Sequence, residues 1–512
     1  MARTRHCVLA TIIAALVLGA CSTDGPSGPA NDAPPNEPPR ADAPPGQGGE
    51  EPPNDEPYPD VFFQNPGVNP FIDTADDALS TFALDVDTGS YTVARRFLTD
   101  GNLPDRDSVR VEEYVNAFPT GLDAPGTDPF AIRVDGGPTP FVMNERYQVA
   151  RVAIASRALP DDARPPVALT FVIDVSGSME LETRLELVKE ALLLLVAQLA
   201  PGDTLGIVVY GSEARVVLEP TAIGESESVR DAITSLYPEG STNAEAGLLL
   251  GYDMASRAFR EGGVNRVILA SDGVANVGNT GPDSILERIR DEARDGIQLT
   301  TLGFGMGNYN DTLMEQLAND GDGMYAYIDT IDEAQRLFVD ELNATLVTVA
   351  LDAKVQVAWD PAGVERYRLI GFENRNVADE DFRDDAVEAG AIGAGHTVTA
   401  LYELRLADGA TGSLGTIHLR WTDPESGQPA ELAREMLATD LASSFELTDR
   451  HFRLAATVAA FGEVLRQSVW AEELTMALVA REALARAEEF QDEPRVGELA
   501  DLVTLAASMG GD

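Results

Sequence analysis

The feature that most constrains the fold is an alternation of apolar strands and helices between residues 166 and 347. VALTFVIDV, NRVILASDG and IQLTTLGFG are apolar almost throughout, as strands are when a parallel sheet is covered on both faces. Helical patterns separate or follow these strands in RLELVKEALLLLVAQLA, Glu225–Leu236, Ala244–Phe259, Pro282–Arg294 and Asp332–Leu346. The alternation predicts an α/β domain built on a doubly wound, mostly parallel sheet.

The segments on either side of this domain have a different pattern. Residues 71–165 read as a strand, two short helices and then alternating strands, which predicts an N-terminal α+β flanking domain. Residues 348–512 begin with strands and Gly-rich turns, which predict a small β-sandwich, and continue as amphipathic helices from Leu447. The strand-like runs of this last part are AKVQVAWD, ERYRLIGFE, TVTALYELRL and GTIHLRW.

The N-terminus predicts export and a lipid anchor. Arg3 and Arg5 precede the apolar run Val8–Ala20, which is too short to span a bilayer but suits a signal peptide over residues 1–20. The run ends in Leu-Gly-Ala-Cys, which resembles a bacterial lipobox, and that resemblance implies lipidation of Cys21. An ordinary signal peptide with an incidental Cys21 is the alternative. Because no Asp follows Cys21, the outer membrane is favoured if the envelope is Gram-negative.

A Pro-, Gly- and acid-rich segment over residues 21–70 follows the predicted anchor. Its composition cannot bury enough apolar surface to offset ordering entropy, which predicts a disordered tether. Cys7 and Cys21 are the two cysteines of the sequence, so a mature chain starting at Cys21 would have no disulfide and no thiol nucleophile. We therefore expect a body held outside the cytoplasm by its anchor.

The net charge limits the possible partners. A formal charge of −48 repels phosphate backbones and anionic surfaces, which argues against nucleic-acid binding. The same charge favours solubility and the accumulation of cations near acidic clefts.

Oxygen-bearing side chains follow three segments of the predicted sheet domain. Asp174, Ser176 and Ser178 form a DxSxS loop directly after the first strand, Thr242 precedes a helix, and Asp272 follows a later strand. In open α/β sheets, ligands bind beyond the carboxyl ends of the strands where the winding reverses. Mg²⁺ needs about six oxygen ligands, more than one short loop supplies. The three loops together therefore predict a divalent-cation site.

Each piece of this pattern also has an ordinary structural interpretation. DxSxS can be a turn, a Thr before a helix is usually an N-cap, and Asp-Gly after a strand is usually a turn. Their joint occurrence at strand ends of one βα domain favours the metal site over three independent turns.

The five residues resemble the metal-ion-dependent adhesion site of von Willebrand factor A (VWA) domains, which consists of DxSxS, a Thr and an Asp. The resemblance implies that Ser176, Ser178 and Thr242 bind the ion directly. Asp174 and Asp272 would act mainly through bound water. The ion implied is Mg²⁺ foremost, with Mn²⁺ or Ca²⁺ possible, and its sixth position would take a carboxylate from a protein partner or water.

The flanking segments resemble those of a bacterial family of VWA lipoproteins. The segments that carry this resemblance are TFALDVDTGSYTVARRFLTDGNLPDRDSVRVEEYVNAF, YRLIGFENR, AIGAGHTVTALYEL and HFRLAATVAAFGEVLR. They imply that the similarity extends over most of the chain from about Ala75.

Three classes of function remain open. The first is a non-enzymatic binding module that captures a protein partner through the cation, and this is the function we expect. The second is a metal-dependent hydrolase acting on envelope polymers, and the third is an envelope scaffold with a purely structural metal. His396, His418 and His451 lack zinc-site spacing, and the sequence has neither a GxSxG elbow nor a P-loop, so no catalytic residue is predicted.

Overall fold

A computed structural model describes residues 63–142, 146–160, 163–273, 282–306 and 309–510. The predicted signal peptide, Cys21 and most of the predicted tether lie outside the described residues. Residues 63–70, which the composition assigned to the tether, contact the folded body: the Asn69 side-chain amide donates to the Leu369 and Gly371 carbonyls at 3.2 and 2.8 Å. Among the described residues, no helix combines the length and apolar character that a bilayer crossing needs.

The described residues of the N-terminal flanking segment form four strands and two α-helices. The strands are β1 (Ile72–Asp73), β2 (Leu79–Ala83), β3 (Phe130–Gly137) and β4 (Tyr147–Ser156), and the helices are α1 (Gly89–Thr99) and α2 (Val111–Asn116).

The central α/β domain contains the strands that the apolar runs predicted, with helices between them. The strands are β5 (Val167–Asp174), β6 (Thr204–Tyr210), β7 (Ala214–Ala222), β8 (Val264–Ser271), β9 (Ile297–Gly303) and β10 (Tyr325–Tyr327). The helices are α3 (Arg184–Gln198), α4 (Ser226–Thr234), α5 (Ala244–Arg257), α6 (Pro282–Arg294), α7 (Asp311–Asp320), α8 (Ile331–Gln335) and α9 (Leu342–Leu346).

These strands form one six-stranded sheet in the order β10-β9-β8-β5-β6-β7. All neighbours run parallel except the hairpin partners β6 and β7. The predicted doubly wound, mostly parallel sheet is therefore confirmed. The chain leaves β5 towards β6 on one side and returns beside it as β8 on the other, so the winding reverses at β5.

Two details of the central domain differ from the sequence interpretation. The single helix predicted over Asp332–Leu346 is divided into α8 and α9 by a π-helical turn at Arg336–Asp340. Helix α7 was not anticipated, because it is only ten residues long and begins with the Asn-Asp pair of a loop, although its apolar residues Leu313, Met314, Leu317 and Ala318 have helical spacing. The Asn310 side chain accepts from the Leu313 N–H at 3.0 Å and caps this helix.

The C-terminal segment continues with strands and ends in helices. The strands are β11 (Thr348–Trp359), β12 (Val364–Ile370), β13 (Gly390–Gly393), β14 (Thr397–Leu406), β15 (Ser413–Thr422) and β16 (Pro429–Leu437). The helices are α10 (Arg450–Leu465), α11 (Met476–Glu489) and α12 (Pro494–Gly510).

The two flanking segments share their sheets. One sheet has the order β1-β12-β14-β4-β3, and in the other β2 pairs with β11, which lies in the order β13-β11-β15-β16. The sheets pack face to face: the ring of Trp359 in β11 lies 5.0 Å from that of Tyr402 in β14, and Phe130 in β3 lies 4.8 Å from Trp421 in β15. The sandwich predicted from the C-terminal strands alone is thus completed by N-terminal strands.

The helices of the two flanking segments share a second hydrophobic core. Tyr114 of α2 packs against Phe461 of α10 with ring centroids 6.1 Å apart, and Tyr91 of α1 packs edge-on against Tyr114 at 5.8 Å. Buried apolar residues of α11 and α12 belong to the same cluster. The N- and C-terminal flanks therefore share a hydrophobic core as well as their sheets.

Candidate metal centre

Asp174 is the last residue of β5 and is completely buried. Its carboxylate has fixed neighbours, since Oδ1 accepts from the Ser176 N–H at 2.8 Å and Oδ2 from the Ser271 hydroxyl at 2.9 Å. Ser271, the last residue of β8, in turn accepts from the Gly273 N–H at 3.1 Å. Sequence reasoning missed Ser271, whose position next to Asp272 at a strand end was the available signal.

The DxSxS loop places two hydroxyl oxygens side by side. Ser176 Oγ and Ser178 Oγ lie 3.0 Å apart, and Ser176 is buried while Ser178 is partly exposed. The loop continues as a short 3₁₀ segment over Gly177–Thr183. A Cβ at Gly177 would meet its nearest neighbour, the Gly240 carbonyl, at 3.7 Å, so the bend itself does not demand glycine there.

The loop that carries Thr242 is bonded directly to the DxSxS loop. Gly177 N–H donates to the Gly240 carbonyl at 3.1 Å, and Glu239 N–H donates to the Val175 carbonyl at 2.5 Å. The N-cap of α5 is Asn243, whose side chain accepts from the Ala246 N–H at 3.2 Å. The capping role that a Thr before a helix often has therefore belongs to Asn243, and Thr242 lies partly buried in the loop before it.

Asp272 follows β8 and is buried. Its Oδ2 accepts from Arg184 Nη1 at 3.0 Å, and the same nitrogen lies 3.4 Å from the Ser178 carbonyl. Sequence reasoning missed Arg184; a basic residue five positions after Met179, at the start of a helix, gave only a weak signal.

Burial and mutual repulsion dominate the electrostatics of this site. Burial, together with the charge of Asp272, raises the pKa of Asp174 to about 7. Burial also raises the pKa of Asp272, although Arg184 beside it acts in the opposite direction. Two buried carboxylates with adjacent hydroxyls form an all-oxygen donor set, the chemistry that suits a hard divalent cation such as Mg²⁺. The residues therefore fit the predicted ion, and their roles as ligands stay a prediction.

A second acidic cluster lies where the N-terminal segment meets the central domain. Carboxylate oxygens of Asp85, Asp87 and Glu315 lie within 4.8 Å of one another, and all three residues are buried. The guanidinium of Arg375 contacts all three, at 3.0, 3.3 and 2.8 Å respectively. We therefore assign this cluster to ion pairing among the N-terminal, central and C-terminal segments.

The three histidines of the flanking segments have their own partners there. His396 Nδ1 accepts from the Gly393 N–H at 3.1 Å. His418 lies 3.1 Å from Glu431, and His451 lies 3.2 Å from Asp449. These contacts fit the packing and surface roles expected from the sequence.

Comparison with known proteins supports the architecture region by region. The model of the von Willebrand factor type A domain matches residues 168–340. A second model, described as von Willebrand factor, matches residues 59–150, and a third, described as uncharacterized protein YfbK, C-terminal, matches residues 344–509. Uncharacterized protein YfbK from Escherichia coli (strain K12) is 39% identical over 427 residues, which cover 78% of this chain and 73% of that protein.

The chain belongs to the YfbK family of VWA proteins. The resemblance to a bacterial VWA family with flanking domains is thereby confirmed, and it covers most of the chain.

More distant similarities are found among curated proteins and solved structures. Human inter-alpha-trypsin inhibitor heavy chain H3 is 31% identical over 199 residues, which make up 36% of this chain and 22% of that protein's length. Among solved structures, a von Willebrand factor type A protein from Catenulispora acidiphila is 16% identical, with a TM-score of 0.42 over 77% of this chain and 89% of that one.

Proposed function

We propose that the VWA domain binds a divalent cation, foremost Mg²⁺, and uses it to capture a protein partner that offers an acidic side chain. Ser176, Ser178 and Thr242 would bind the ion directly, and Asp174 and Asp272 would do so through water. VWA domains often serve as metal-dependent protein-interaction modules, and the observation that carries the proposal here is the gathering of two buried carboxylates and two touching hydroxyls where the sheet reverses its winding.

The bound ion would carry positive charge and keep one coordination position open for a ligand from the partner. Because three of the proposed direct ligands are neutral hydroxyls, the ion would remain electron-poor and attract an anionic group. Asp174 is held by Ser176 and Ser271, so its carboxylate is oriented before any ion binds. The exposed face at Gly177 and the partly exposed Ser178 leave room for a partner to approach.

We propose a binding role rather than a hydrolase or a purely structural scaffold. The histidines pair within the flanking sheets and helices, and none of the contacts described around Asp174 and Asp272 provides a general base. The exposure of Gly177 and the partial exposure of Ser178 support this choice, because a closed structural metal site takes all its ligands from the protein.

Isothermal titration of the purified chain with Mg²⁺ tests ion binding. We expect Asp174→Asn and Ser176→Ala to abolish the binding heat. Asp203→Asn is the matched control, because Asp203 is equally buried and hydrogen-bonded but lies just before β6, at the opposite edge of the same sheet. Equal Mg²⁺ binding by Asp174→Asn and the wild type would contradict the site.

Elution with a chelator tests partner capture. Envelope extract is passed over immobilised chain in Mg²⁺ and the column is washed with EDTA. We expect the same proteins to be released from the wild type and to be missing from a Ser176→Ala column. Retention that is identical on both columns and insensitive to EDTA would show that the ion does not mediate contact.

We further propose that the chain is anchored by lipid at Cys21 on the extracytoplasmic side, at the outer membrane if the cell is Gram-negative. The support is the sequence around Cys21 and the tether composition. Fractionation of a Cys21→Ser variant tests it, and we expect the protein to move from the membrane to the soluble fraction. A variant that stays with membranes would contradict the anchor.

A further inference from the structure

Arg184 places a positive charge in the protein interior beside the candidate metal centre. It is the first residue of α3 and is only 3% exposed. A guanidinium keeps its charge even when buried, so it needs a carboxylate partner. Among its ion pairs with described residues, the shortest is with Asp272, whose Oδ2 lies 3.0 Å from Arg184 Nη1.

The surrounding backbone is shaped to admit this guanidinium. Gly305, which follows β9, has φ of +80°, and a Cβ there would lie 2.1 Å from Arg184 Nε. Glu182 and Thr183, which lead into α3, both have positive φ, at 47° and 61°. Such conformations cost free energy in residues other than glycine and persist only where neighbouring structure enforces them. Glu182 Oε2 lies 3.7 Å from Arg184 Nη2 and adds a second carboxylate on that side.

The negative charges of the two carboxylates at the candidate metal centre have different partners. Asp272 is paired with Arg184, whereas Asp174 receives its described hydrogen bonds from the neutral donors Ser176 and Ser271. Without an ion, Asp174, Asp272 and Arg184 would together carry one negative charge if both carboxylates are ionised. With a divalent cation they would carry one positive charge.

We infer that Arg184 is a built-in counter-cation of the metal site, which balances Asp272 when no divalent ion is bound and thereby weakens ion binding. The inference rests on the proposed function. Its physical basis is that two like charges close together in a poorly solvated site repel each other, so Arg184 and the ion compete for the same carboxylate charge. A site tuned in this way would exchange its ion more readily. When loaded, it would be more attractive to an anionic partner group.

Mg²⁺-dependent stability of charge variants tests the inference. The variants are Arg184→Gln, which removes the charge, and Arg184→Lys, which keeps it. Arg164→Gln is the matched control, because Arg164 pairs with buried Asp203 at 2.6 Å, just before β5 and β6 begin and so at the opposite edge of the sheet. Melting temperatures of the purified chain are measured in EDTA and in saturating Mg²⁺, and Mg²⁺ affinity is measured by calorimetry.

We expect Arg184→Gln to melt below the wild type in EDTA, to be stabilised by Mg²⁺ more than the wild type is, and to bind Mg²⁺ at least tenfold more tightly. Since an ion that binds only the folded state stabilises it by mass action, the two readouts should agree. Arg184→Lys should restore a Mg²⁺ response close to that of the wild type. Arg164→Gln should lose the same stability with and without Mg²⁺.

An Arg184→Gln variant whose Mg²⁺ response equals or falls below that of the wild type would overturn the inference and leave Arg184 with a structural role. A variant that folds only in Mg²⁺ would support it. If Arg184→Gln folds in neither condition, Gly305→Ala replaces it, because the added methyl displaces the guanidinium without removing it, and the same increase in Mg²⁺ response is expected. Mg²⁺ binding by the wild type decides the proposed function separately; if no variant binds Mg²⁺, both ideas fall.

Discussion

Replacing Arg375 should destabilise the protein strongly and in a pH-dependent way. Its guanidinium contacts Asp85, Asp87 and Glu315 at distances between 2.8 and 3.3 Å, and all four side chains are at least nine-tenths buried. Arg375→Gln leaves these carboxylates without their shared cation. Removing one partner of a buried ion pair typically costs about 3–5 kcal/mol, because the remaining charge is uncompensated.

The structure also indicates how the variant would respond to pH. Burial already holds the pKa of Asp87 well above its usual value of 3.8, with Asp85 adding to the rise and Arg375 opposing it. Without Arg375, the chain should fold only when at least one of these carboxyl groups is protonated. Protonating one Asp at pH 7 costs about 4 kcal/mol, from about 3 pH units at 1.36 kcal/mol each, and at pH 5 only about 1.5 kcal/mol, from about 1 pH unit.

Urea unfolding at pH 5 and pH 7 measures this effect. The three tryptophans, Trp359, Trp421 and Trp470, all lie in the C-terminal segment, so their fluorescence reports on the flanking region that Arg375 joins to the central domain. Arg383→Gln is the control, because Arg383 forms a comparable pair with Glu431 at 2.8 Å but is more than half exposed, and should cost less than about 1 kcal/mol.

We expect Arg375→Gln to lose about 4 kcal/mol of unfolding free energy at pH 7 but only about 1.5 kcal/mol at pH 5, because a group with a raised folded-state pKa loses its contribution to stability as pH rises. A loss in Arg375→Gln as small as that in Arg383→Gln, or one that is the same at both pH values, would refute this expectation.

Three further substitutions test individual features. Burial raises the pKa of Glu112 from 4.5 to about 7, so the stability that its protonated form contributes should be lost between pH 5 and pH 8. Glu112→Gln should therefore reduce the decline in unfolding free energy over this range by up to about 3 kcal/mol, measured by urea unfolding. An unchanged pH profile would contradict the burial argument. In Gly323→Ala the new Cβ would lie 1.7 Å from the Leu299 carbonyl oxygen, so we expect the free energy of unfolding to fall by about 3 kcal/mol, measured by thermal unfolding. A melting temperature equal to that of the wild type would show that the backbone can shift at little cost. Tyr325→Phe removes a buried hydroxyl that donates to Asp311 at 2.6 Å and should lower the free energy of unfolding by about 1–3 kcal/mol. Equal unfolding midpoints for this variant and the wild type would contradict the prediction.

The sequence alone was sufficient to predict the sheet domain and to place Asp174 and Asp272 at the ends of its strands, whereas their roles as metal ligands stay a prediction. The strands β5, β8 and β9 are buried on both faces, so each appears as a continuous apolar run whose end is visible in the sequence. Because parallel strands end at one edge, residues at the ends of β5 and β8 could be expected to lie close together, and the hydroxyl of Ser271, which directly precedes Asp272, donates to Asp174 at 2.9 Å. These are local patterns combined with a topological rule.

The tertiary structure alone decided how the flanking segments combine. β2 pairs with β11 and β4 with β14, across a gap that contains the whole central domain. Strand patterns show which residues face a core, but not which distant strand supplies the neighbouring hydrogen bonds. Arg184 and Arg375 became significant for the same reason: the buried carboxylates that they contact lie 60 to 290 residues away in sequence, and only folding brings those charges into contact.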